Sequence, residues 1–198
     1  MEIIQTKYEK ELSKFKSEIC KISEETFNTA HEFPPTLFAL IYKDGNFMIT
    51  VLDNLARFFI SESGKDLVSE LMSKFNKEVK PIATAFVSEG WMSVYKKTKS
   101  DEIIDEAGNY MPGVVRPSQD PKRKEVLNIS FESYNKTAFQ MWEIIRDDKD
   151  TPSLISANTL EWEDKEKGNV KGRFSEMLSE NYSEFSQQLK HFLDTVKN

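Results

Sequence analysis

The chain has 198 residues, with 27 Lys and Arg against 33 Asp and Glu for a net charge of -6, 38% hydrophobic residues, one Cys and two His. That length suits one domain, residues 1–198, able to bury roughly 70% of its unfolded surface, and 7 Gly, 7 Pro and 14 Phe argue against a disordered or fibrous chain. The single Cys and two distant His leave no intramolecular disulfide and no tetrahedral zinc pattern, so no metal and no cofactor are expected, and the interspersed acidic balance disfavours nucleic acid as a partner.

The uncharged run Phe33 to Tyr42 is far shorter than a spanning helix and holds two prolines, so no membrane segment is expected. The N-terminus lacks the basic start and apolar run of a signal peptide, which makes the cytoplasm the expected location.

Ile4, Tyr8, Leu12, Phe15, Ile19 and Ile22 recur at steps of three and four, the stripe of an amphipathic helix that must stop near Phe33 because Pro34-Pro35 follows. Thr36–Lys43 and Asn46–Leu52 flank Asp44-Gly45, a dipeptide suited to two positive-φ positions, and predict a β-hairpin. A two-residue loop sets Tyr42 against Phe47, Leu40 against Ile49 and Phe38 against Val51. Ile41 with Met48 and Leu37 with Leu52 take the other side. Both faces are apolar, so the hairpin is expected to be covered on both, by helices or by another subunit.

After an ambiguous stretch, Asp53 to Ile60, a second helix is predicted over Ser63–Val79 with Leu67, Leu71, Phe75 and Val79 as its stripe, Ser63 as its N-cap and Pro81 as its stop. Ile82–Tyr95 reads as a long strand carrying Ala83, Ala85, Val87, Glu89 and Trp91 on one face. The connection Lys96–Lys124 is unusually long and proline-rich. Strands are predicted over Glu125–Ser133, Thr137–Arg146 and Leu154–Glu163, then a charged linker and a C-terminal helix from about Arg173 with Phe174, Met177, Leu178, Phe185, Leu189 and Phe192 in its stripe. The fold class is therefore α+β: a mainly antiparallel sheet of about six strands (hairpin, helix, then four strands) packed with N- and C-terminal amphipathic helices.

Candidate chemistry gathers around the long connection. Arg116, Lys122, Arg123 and Lys124 could meet a phosphate or carboxylate, although a rigid turn with solvated charges, offset by Asp120 and Glu125, is the reading the sequence favours. Glu89, on an otherwise small and apolar strand face, needs a cation or donors if covered, with Arg116 or Arg123 the expected partner. It is the one catalytic candidate, as a general base or as a carboxylate ligand for a divalent ion, with Glu132 or Glu143 as a second acidic group. Trp91, Trp142 and Trp162 fall on separate strands and are expected to share one sheet face as packing residues. His31 reads as a capping or surface residue, Cys20 as a boundary residue, and Ser63-Gly64-Lys65 as a helix start without the upstream glycine of a phosphate loop.

The run Ala85 to Trp91, the loop Arg116-Pro117-Ser118-Gln119-Asp120-Pro121-Lys122-Arg123 and the strand to Glu132 together resemble a pattern in uncharacterised bacterial and phage proteins. There a Glu-x-Trp strand precedes an Arg-Pro-Ser-x-x-Pro-x-Arg loop and a strand with an acidic end. The resemblance spans about a quarter of the chain and implies no activity. It would carry over Glu89, Trp91, Arg116, Pro117, Ser118, Pro121, Arg123 and Glu132. Two functions follow as expectations. The first is a non-enzymatic binding or assembly protein, phage-related, that forms a homo-oligomer or takes a protein partner through the hairpin or terminal helices. The alternative is a small enzyme acting on an anionic ligand, with Glu89 as base and Trp91, Arg116, Ser118, Lys122 and Arg123 as the ligand site.

Overall fold

A computed structural model of the chain describes residues 2–59, 61–93, 95–97, 103–105 and 120–164. Its elements run α1 (Glu2–Ala30), β1 (Thr36–Lys43), β2 (Asn46–Leu52), a 3-10 turn (Ala56–Phe58), α2 (Glu62–Val79) and β3 (Ala83–Met92). Then come β4 (Tyr95–Lys97), β5 (Ile103–Asp105), β6 (Lys124–Ser133), β7 (Lys136–Arg146) and β8 (Pro152–Asp164). Six strands form one antiparallel sheet in the order β2-β1-β3-β6-β7-β8, and β4 pairs with β5 in a small ribbon inside the long connection. The predicted α+β architecture is present. The expected C-terminal helix from Arg173 lies outside the described residues, as do Arg116, Pro117 and Ser118.

The hairpin forms as its sequence dictates. Asp44 and Gly45 take φ of 52° and 81°, the two left-handed positions of the turn, and the register sets Tyr42 against Phe47, Leu40 against Ile49 and Leu37 against Leu52. β1 is covered on both faces. Phe38 and Leu40 join the core under α1, built with Leu12, Phe15, Ile19, Phe27, Val87, Ile129 and Phe131, whereas Leu37 joins Phe86, Leu55, Val68 and Met72 under α2. β2 is the sheet's edge, and there Met48 and Val51 stay 51% and 46% exposed.

Two local expectations are corrected. The α2 stripe is turned by one residue: Val68 and Met72 are buried and Leu67 is exposed, because apolar residues at both 67-71 and 68-72 give two overlapping stripes and only the sheet chooses between them. The N-cap is Ser61, whose hydroxyl accepts from the Gly64 N–H at 3.0 Å. Gly64 is there for space. A Cβ on it would lie 1.9 Å from the Phe58 carbonyl oxygen, so the 3-10 turn packs against bare backbone.

α1 is fastened near its middle and at its C-terminal end. Near its middle, buried Lys16 reaches Glu161 on β8 at 2.7 Å and the Trp162 indole N–H donates to the Leu12 carbonyl at 3.2 Å. Its last turn closes with His31 at φ 62°, whose N–H donates to the Phe27 carbonyl at 2.7 Å, so His31 is a left-handed C-cap.

Candidate functional site

Strand alternation puts Glu89 and Trp91 on the α1 face of β3, beyond the point where the helix stops covering it. The strand order then brings in groups distant in sequence. Trp91 lies directly opposite Glu125 on β6, and Glu125 holds Arg146 of β7 through two hydrogen bonds at 2.8 and 2.9 Å. Arg146 also lies 3.7 Å from Asp150 in the β7–β8 turn.

Glu89 has a different partner from the one its sequence suggests. Its carboxylate accepts the backbone N–H of Phe33, pinning the α1–β1 connection to β3 just before Pro34-Pro35. Burial pushes its pKa above the ordinary carboxylate value, the Phe33 N–H opposes the shift, Glu125 and Glu32 add to it, and Arg146 lowers it. Arg123 stacks on Trp91 instead of pairing with Glu89: its guanidinium carbon stands 4.4 Å from the ring centroid, and the indole remains 47% exposed. The expected second acids are also on the wrong side. Glu143 faces Val126, and Glu132 faces Thr84 and Thr137, so both project from the sheet face opposite Glu89.

The approach to β6 is built by Asp120. Its side chain accepts the Lys122 N–H at 2.8 Å and its carbonyl the Arg123 N–H at 3.2 Å, a turn with Pro121 at its first central position. The Ser93 hydroxyl beside it and the Lys122 N–H hold the Asp120 carboxyl below the usual range. Lys122 is exposed, and Lys124 pairs with Glu143 at 3.1 Å on the opposite face. Of the predicted ligand residues, the structure therefore brings Trp91 and Arg123 together. Glu125, Arg146 and the Phe33 N–H are the members of this cluster that sequence reasoning missed, since each arrives by strand order.

The three tryptophans share the α1 face as expected. Trp142 is buried, Trp162 packs edge-on to Phe131 at 5.9 Å, and Trp91 alone reaches beyond the helix. At the far end of the same face, a cleft of about 240 Å³ between α1 and the β7–β8 pair is lined by Glu9, Leu12, Ser13, Lys136, Glu161 and Trp162. Its charges are tied to one another: Lys136 to Glu9 at 2.9 Å and Glu161 to Lys16. Cys20 packs at the core boundary, where burial pushes its thiol up to about 11, too high for a reactive thiolate at neutral pH. Among the described residues no three His, Cys, Asp or Glu groups gather in a way that could hold a metal ion, and no helix is long and apolar enough to cross a membrane.

The fold and its site define an α+β domain whose antiparallel sheet is packed by α1 on one face and α2 on the other, with β2 as an edge strand among the described residues. No protein-family model, curated protein or solved structure matches the chain.

Proposed function

We propose that the protein is a non-enzymatic binding and assembly protein of the cytoplasm, working as a homo-oligomer through its hairpin. The contrast between the two edges of the sheet carries this reading. β8 has the devices that blunt an edge: two register shifts along β7, Pro152 at its start, and Glu161, Glu163 and Asp164 at its end. β2 has none. Its pairing with β1 is regular from Asn46 to Leu52, those residues include neither proline nor a charge, and Met48 and Val51 are about half exposed. An uncharged regular edge is a surface suited to pairing with another strand. The groups a small-molecule site would use are meanwhile engaged within the fold, Glu89 by the Phe33 N–H and Arg146 by Glu125.

Light scattering over a wide concentration range tests the reading. A mass that rises above the 23.0 kDa of one chain supports it, and a constant 23.0 kDa at every concentration sinks it.

A second reading, an enzyme acting on an anionic ligand, is favoured by one observation: the half-exposed Trp91 with Arg123 over it stands beside Glu89, whose pKa is raised. Titration with inorganic phosphate, followed by Trp fluorescence in the wild type and in Arg123→Ala, tests it. Saturable quenching lost in the variant supports an anion site, and the same response in both removes it.

A further inference from the structure

We propose that the partner of β2 is β2 of a second copy, paired antiparallel about a two-fold axis at Thr50, so that two six-stranded sheets become one. This rests on the assembly reading above and adds the geometry. Because the loop has two residues, the closing pair Lys43/Asn46 and every second pair beyond it, Ile41/Met48, Ala39/Thr50 and Leu37/Leu52, exchange the β1–β2 hydrogen bonds. The backbone N–H and C=O of Ile49 and Val51 therefore point away from β1. Among the described residues nothing pairs with them.

Phe47 points outward as well, so the backbone alone allows a two-fold axis at Ile49 or at Thr50, and the side chains choose Thr50. With the axis at Thr50, Ile49 of each copy exchanges hydrogen bonds with Val51 of the other, and Thr50 faces Thr50 at the close, non-hydrogen-bonded position. The side chains then match. Ile49 and Val51 project on the α1 side and meet as β-branched neighbours, whereas Met48 meets Leu52 on the α2 side. Both large exposed side chains of the strand, Met48 and Val51, gain an apolar partner. An axis at Ile49 would instead set Met48, the more exposed of the two, against Thr50. The contact is isologous, which closes the assembly at two copies along this edge.

The test is a pair of charge variants at the axis. Thr50 stands beside the small Ala39 on β1, which leaves room for a longer side chain on the outermost strand. Thr50→Lys and Thr50→Glu each place like charges across the two-fold, and each is expected to run as one chain of 23.0 kDa at concentrations where the wild type shows twice that mass. Mixed in equal amounts, the two variants are expected to recover the doubled mass. Far-UV circular dichroism checks that each is folded. As a second measurement, Thr50→Cys in a Cys20→Ser background is expected to give a covalent dimer on mild oxidation with diamide, since facing residues at such a position have Cα atoms about 4.5 Å apart, within disulfide reach. Folded charge variants that keep the wild-type mass, together with a Cys variant that stays uncrosslinked, overturn this interface while leaving the assembly reading in place. A wild type of one-chain mass throughout removes both.

Discussion

Phe15→Ala strikes where the first helix is seated. Phe15 is 1% exposed and stands edge-on to Phe131 at 6.2 Å and 85°, and Phe131 in turn meets Trp162 at 5.9 Å, so one aromatic column joins α1 to β6 and β8. Removing a buried Phe ring costs about 3–5 kcal/mol in lost transfer energy and residual cavity. The edge-on pair with Phe131 makes the upper half of that range the expectation, since such pairs add about 0.5–1.5 kcal/mol beyond area. Against a total stability of about 5–15 kcal/mol, roughly a third or more is lost. With a urea dependence of about 2 kcal/mol per molar, the unfolding midpoint falls by about 2 M. The assay is urea titration followed by tryptophan fluorescence, with Phe15→Leu as the comparison that keeps apolar volume and costs about 1 kcal/mol. A loss below about 1 kcal/mol for Phe15→Ala at an unchanged slope would show that the column does not hold α1 on the sheet.

Gly64→Ala is expected to destabilise by on the order of 1–3 kcal/mol, because the new methyl meets the Phe58 carbonyl 1.9 Å away, and a thermal melt unchanged from wild type would remove the close approach as the reason for glycine. Glu89 has a folded pKa raised above its unfolded value, so its contribution to stability is complete below the unfolded value near 4.5 and is lost as pH rises through the folded one. Glu89→Gln, which keeps an acceptor for the Phe33 N–H, should therefore melt higher than wild type at pH 7, with the gap closing toward pH 4; a wild type that gains on the variant as pH rises contradicts the burial argument. Arg123→Ala should cost no more than about 1 kcal/mol, the range of an exposed cation–π contact, while changing Trp91 emission. An unaltered emission spectrum would place Arg123 away from the indole in solution.

Much of this architecture is legible in local sequence. Asp44-Gly45 dictates the hairpin and its register, and strand parity alone places Glu89 beside Trp91. The α2 face is not legible, since Leu67 and Val68 begin equally good stripes and the choice belongs to Leu37 and Phe86, which are distant in the chain. The same limit applies to the cluster at Glu89. Glu125 and Arg146 join it because β3, β6 and β7 are adjacent, and the backbone N–H of Phe33 has no side-chain signature for any pattern to detect. Arg123 was visible as a cation near a carboxylate, but a guanidinium has two good partners at this end of the sheet and the indole took it.

The ties between α1 and β8 also order events in time. Lys16 meets Glu161, and Leu12 meets Trp162, across nearly the whole described chain, whereas β6, β7 and β8 pair with immediate neighbours through short turns. On a ribosome the helix is made well before β8, which carries Glu161 and Trp162. The part of α1 seated on β8 must therefore wait while about 130 further residues are added at 5–20 per second, an interval of roughly 7 to 26 seconds, although Phe38, Leu40 and Val87 can cover the rest of its apolar side earlier. Over that interval the helix is a natural client for a chaperone, and synonymous changes that slow translation between Ala30 and Trp162 should lower the yield of folded protein more than equal slowing after it.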